Sequence, residues 1–127
     1  MEQQAYIPGV CNINKAEIAY RRKAMIAGFV IAALLFVGLL FTQLDGWLRA
    51  LIVLVPLYVG IIGYFQVRNH FCVSYGAIGK QNATDGHATA LEVDEAEARV
   101  ADKKKARTMN LQAFAITLVA LALSAFI

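Results

Sequence analysis

No Asp, Glu, Lys, Arg or His occurs in residues 24–43, 50–67 or 109–127 of this 127-residue chain. Ionisable groups inside a membrane are the usual markers of proton relays and ion paths, so their lack argues against a self-contained pump or proton-coupled transporter. The chain is also poor in motifs that carry known chemistry. It has two cysteines and two histidines, with no Cys-x-x-Cys, no His-Glu-x-x-His, no Cys-x-x-Cys-His and no Gly-rich phosphate loop. A hydrolytic site needs a nucleophile, a base and an orienting acid within reach of one another. Cys72, His70 and Asp85 supply the types, but nothing in their spacing selects them. No enzyme is expected.

What is present is apolar. Hydrophobic residues make up 59% of the chain and mean hydropathy is +0.56, too high for an ordinary soluble domain. The uncharged tracts 24–43, 50–67 and 109–127 are each long enough to span a bilayer core of about 30 Å as a helix. Trp47 sits at the interfacial position before the second tract, so that span is read as 47–67. The first tract is not read as a signal peptide, because 23 mostly polar residues precede it and no small-residue cleavage site follows. The chain reads as one membrane domain: segment 1–23, span one at 24–43, span two at 47–67, a polar stretch at 68–108 and span three at 109–127.

Charge placement sets the orientation. Of the 12 Lys and Arg residues, only Arg49 lies between the first and second uncharged tracts. Lys15, Arg21, Arg22 and Lys23 precede span one, and the remainder lie between spans two and three. The positive-inside bias puts the N-terminus and the 68–108 stretch in the cytoplasm and the C-terminus outside, as in a bacterial inner membrane. Aromatic residues fall mostly within the apolar tracts, so no nucleic-acid surface is expected. The partners expected are membrane lipids and other membrane subunits or further copies of the chain.

Local patterns refine this picture. Asn14 with Glu17 three residues on has capping-box form and predicts a helix from Lys15 into span one, with Glu17 and Arg21 paired at i,i+4. Ala24, Gly28 and Ala32 place small residues at four-residue steps, a face that lets helix backbones approach closely in lipid, and in span two Gly60 and Gly63 allow close packing or bending. Pro56 predicts a kink. Residues 73–88, with several glycines and small polar residues, read as a loop. Thr89 and Glu92 have capping-box form and predict a helix start there. Residues 93–108 then read as a solvated, charged helix with a narrow apolar stripe of Val93, Ala96 and Val100, continuing into span three. The predicted fold is all-α: an antiparallel hairpin of spans, and a third span extended by a cytoplasmic helix.

The chemistry-bearing residues gather at the cytoplasmic ends. Cys11, His70 and Cys72 offer donors for zinc or iron, with His87 available as a fourth ligand. His70 and Cys72 converge on one ion only if the backbone turns; on a continuing helix they point about 200° apart. In that second case Arg68 lies one turn from Cys72 and would make its thiol more reactive, and Gln66 lies one turn from His70. The plainer alternative has Arg68 snorkelling to headgroups, His70 bonded locally and Cys72 acting as a small hydrophobe.

The segments "GVCNINKAEIAYRRK" and "FQVRNHFC" resemble a family of small bacterial inner-membrane proteins. These share a Cys-Asn-Ile…Ala-Glu-Ile…Arg-Arg segment and a Gln-x-Arg-x-His-Phe-Cys segment, matched here at Cys11, Asn12, Glu17, Arg21, Arg22, Gln66, Arg68, His70, Phe71 and Cys72. The resemblance covers roughly residues 1–80. It brings no activity with it, but implies that the N-terminal segment and the stretch after span two form one constellation. The expected function is non-catalytic: an accessory or assembly subunit of a larger inner-membrane complex. Glu17, Arg21, Arg22, Gln66 and Arg68 would touch lipid or partner, with Arg22 and Arg68 attracting phosphate. Metal binding or thiol redox chemistry at Cys11, His70 and Cys72 is the alternative, and an oligomeric channel or small-solute transporter a third.

Overall fold

The computed structural model describes residues 6–83 and 91–126. Pro8 and Gly9 keep the chain out of helix until Asn14, whose Oδ1 accepts the Glu17 N–H at 2.9 Å and starts helix α1, Lys15–Leu40. Nothing in the next 26 residues breaks a helix, and α1 runs unbroken through the first apolar tract. A short turn leads to α2, Gly46–Asn69, which carries Pro56 inside it. Helix α4, Ala96–Ser124, closes the set. These three helices are long and apolar enough to cross a membrane. The protein is all-α with three candidate spans, and α1 and α2 form an antiparallel hairpin.

Helix α2 is the centre, packing against both α1 and α4. On the α1 side the contact is made by backbone. A Cβ placed on Gly28 would stand 2.6 Å from the Gly60 nitrogen and 2.9 Å from the Pro56 carbonyl oxygen. One placed on Gly63 would stand 2.9 Å from Met25 Cβ. Lipid offers no hydrophobic drive for helix association, so close approach and its dispersion energy must supply it. Gly28 and Ala32 are buried in this seam and Ala24 is half-buried. Nearer the hairpin turn, Ala32, Ala50, Val53 and Leu121 form the apolar core that joins all three helices. There Trp47 meets Phe126 edge to face at 6.1 Å.

Three expectations for the polar stretch are corrected. Residues 73–78 form helix α3, Val73–Ile78, closed by Gly79 in the left-handed conformation at φ 74°, where the loop reading had no element. Glu92 caps no helix. It lies in strand β2, Leu91–Glu92, paired antiparallel with β1, Lys80–Gln81, so that Lys80 faces Glu92. Residues 96–108 do not stand free in solvent: α3 packs along α4 there. The buried stripe of α4 runs Ala98, Asp102, Ala106, Met109, Ala113, Thr117 and Leu121, whereas Val100 is 67% exposed. The stripe follows the small residues because Phe71 and the N-terminal segment need room to approach.

The Gly28 seam yields a test. Gly28→Leu is expected to lower stability by about 2 kcal/mol or more, because backbone rather than a movable side chain occupies the space. Ala27→Leu, exposed on α1 one residue before Gly28, is expected to leave thermal unfolding in detergent unchanged. Equal melting of the two variants would show that the seam is not packed this closely.

Candidate functional site

The end of the bundle opposite the hairpin turn holds a buried polar cluster. Its centre is Asn12, fully buried. The Asn12 carboxamide behaves as a piece of strand: its Oδ1 accepts from the Cys72 N–H at 2.6 Å and its Nδ2 donates to the Cys72 carbonyl at 3.2 Å. The Asn12 backbone continues the pattern, donating to the His70 carbonyl at 3.2 Å and accepting from the Asn82 N–H at 2.7 Å. Asn14 N–H then donates to the Asn82 carbonyl at 2.8 Å. One short stretch therefore threads between two others and satisfies backbone groups on both, where each orphaned group would cost about 1–3 kcal/mol.

Beside this thread lies a buried ion pair. Glu17 has no exposed surface, and its Oε2 stands 3.0 Å from Arg21 Nη1. The Arg21 guanidinium also donates from Nη2 to Cys72 Sγ at 2.9 Å and lies over the Tyr20 and Tyr75 rings. Burial pushes the Tyr75 phenol pKa up, and the Glu17 charge and its hydrogen bond add to that rise. On the far side, Asp102 of α4 is fully buried and holds the N-terminal strap, accepting from Tyr6 Oη at 2.6 Å and from the Gly9 N–H at 2.8 Å. Gly9 has φ 70° and its α-carbon faces Ala101, so the strap lies close against α4. The Tyr6 phenol pKa is raised above its ordinary value, first by burial and then by its bond to Asp102.

Helix α2 stops at Asn69, and His70 takes φ 52° and ψ 43°, the left-handed conformation usually given to glycine at this position. The chain turns there, so the face joining Arg68 to Cys72 does not form. Arg68 instead donates to the Tyr64 hydroxyl at 2.9 Å, and the guanidinium beside Cys72 comes from Arg21. Gln66 turns inward, its Oε1 accepting the Val73 N–H at 3.0 Å and fixing the start of α3. Cys11 and Cys72 are both buried and not disulfide-bonded. Among the described residues no three His, Cys, Asp or Glu side chains are grouped to hold a metal ion. His87, Asp85 and Thr89 lie outside the described residues. Asn82, Asp102, Tyr6 and Tyr75 are members of the cluster that the sequence reading did not select. Of these only Asp102 carried a signal: it shares a face with Ala98 and Ala106, four residues away on either side.

Comparison with family models, curated proteins and solved structures gives no match.

Two tests follow from the cluster. With Cys11 6% and Cys72 2% exposed, neither thiol should label with a maleimide in the folded protein. Arg21→Gln leaves Glu17 buried beside a neutral partner, should destabilise by about 3 kcal/mol, and should make Cys72 label quickly. Rapid Cys72 labelling in the unaltered protein would contradict this packing. The second test concerns alkali. The folded state holds the Tyr6 proton more tightly than the unfolded chain, so stability should fall as pH rises past the ordinary phenol value of 10.0. Tyr6→Phe should be less stable at neutral pH by about 1 kcal/mol yet lose less on going to alkali, with Tyr75 supplying the remaining slope.

Proposed function

We propose that the chain is a non-catalytic accessory or assembly subunit of a larger bacterial inner-membrane complex, with the polar end in the cytoplasm. The observation that carries this reading is the division of roles between the two ends. The chemistry-bearing side chains Asn12, Glu17, Cys72 and Asp102 are buried, Arg21 is half-buried, and all are bonded to one another or to the backbone they fix. They serve the framework. What the spans offer outward is apolar. In the most apolar window of α1 only 11% is buried. Between α1 and α4, over α2, a cleft of about 310 Å³ is lined by Phe29, Ala33, Phe36, Val53, Leu57 and Ala120. Small residues along one wall suit the close approach of a partner's helix. The orientation rests on the eleven basic residues outside the hairpin turn.

A second reading, thiol redox chemistry at Cys72, has the Arg21 guanidinium 2.9 Å from the sulfur in its favour. With that sulfur buried, it requires the polar end to open before any reagent arrives.

A photocrosslinker at Ala33 or at Ala120, on opposite walls of the cleft, should give the same discrete heteromeric adduct in native membranes. The same group at Leu34, 69% exposed on α1, should give lipid adducts instead. Lipid adducts alone at all three positions, or adducts only between copies of this chain, would overturn the accessory-subunit reading.

A further inference from the structure

We infer that the polar end carries a binding pocket for the phosphate of an anionic phospholipid, formed by Lys15, Arg22 and His70. The pocket encloses about 280 Å³ and is lined by these three with Ile18 and Ala19. Its α1 wall is a single helical face, i, i+3, i+4 and i+7, with a cation at each end and apolar side chains between. No carboxylate lines it. The nearest acid in sequence, Glu17, is bonded to Arg21 at 3.0 Å. Lys15 and Arg22 have no acid three or four residues away on α1, so the helix itself does not neutralise them. The positive end of the α1 dipole adds to the field.

The His70 wall is an independent observation. His70 is the one non-glycine described residue with positive φ, a conformation that costs of order 1 kcal/mol and is retained where surrounding structure holds it. Glycine would fit that backbone without strain, but would remove the imidazole from the pocket wall. Depth selects the ligand. Arg22 lies two residues before the uncharged tract that starts at Ala24, so the pocket opens where headgroup phosphates lie and the apolar face of α1 continues below it for the acyl chains. This site differs from the lipid contacts expected from sequence: Glu17, Arg21 and Gln66 point into the cluster, and Arg68 is bonded to Tyr64. It does not depend on whether the cleft between α1 and α4 holds a partner.

The test uses the full chain in mild detergent. Native mass spectrometry with added phosphatidylglycerol or phosphatidylcholine reads retained lipid, and thermal unfolding confirms the fold. One phosphatidylglycerol should be retained in preference to phosphatidylcholine. Lys15→Gln and Arg22→Gln should each weaken it about fivefold, while Arg68→Gln, removing an arginine at similar depth outside the pocket, should leave it unchanged. His70→Gly should keep or raise the melting temperature and still weaken retention. Equal retention of the two lipids, or equal weakening by Arg68→Gln, would overturn the pocket in favour of diffuse surface charge. Full displacement by millimolar glycerol 3-phosphate would overturn the lipid assignment and make a soluble phosphate ester the ligand.

Discussion

An ionised carboxylate with no exposed surface is costly unless it is paired and hydrogen-bonded, and the Glu17–Arg21 pair is the constraint around which the polar end is arranged. Removing either partner leaves a buried charge uncompensated, a far larger penalty than the pair's own net contribution. Because Arg21 must face Glu17, its guanidinium also faces Cys72 and the Tyr75 ring. Because Cys72 is held there, the chain must turn sharply after α2, and His70 takes the left-handed conformation that turn needs. Asn12 then locks the turned segment by pairing with both backbone groups of Cys72. Each step follows from the one before. The cluster is one object rather than a collection of contacts.

The two ends of the molecule solve different physical problems. Among the spans, lipid is as apolar as the side chains, so contact is gained by removing side chains: Gly28, Gly60 and Gly63 bring backbones together. At the polar end water competes for every donor and acceptor, so contact is gained by hydrogen bonds that satisfy otherwise orphaned groups. Helix α4 belongs to both regimes. Its stripe passes from Asp102, which bonds the strap, through Met109 beneath Phe71, to Thr117, whose hydroxyl donates to the Ala113 carbonyl at 2.7 Å within the helix. Helix and side chains thus change partners along one continuous face.

The spans were legible in the sequence because a bilayer sets their length and excludes charge, and both are local properties of composition. The Asn14 cap and the Glu17–Arg21 spacing were legible for the same reason: their partners lie within one helical turn. Asn82 and Asp102 were not, since their partners in the N-terminal segment lie 68 or more residues away and polar side chains give no period to read. Residues 93–108 misled because a helix dense in charge looks solvated on every face. The buried line through Ala98, Asp102 and Ala106 is narrow, and one of its members is itself an acid. Arg68 misled through proximity: it stands four residues from Cys72, but only an unbroken helix would bring them together, and the helix ends at Asn69.

The strap closes late in synthesis. Tyr6 and Asp102 are separated by 96 positions, so an emerging chain holds one half of that contact long before the other exists. The Asn12–Cys72 lock can close once the hairpin and the turn after it have been made. The Tyr6 and Gly9 contacts cannot, because α4 has yet to leave the ribosome. Closure of the polar end therefore reports that the last helix has arrived and lies beside α2, because only then do Tyr6 and Gly9 meet the Asp102 carboxylate that holds them.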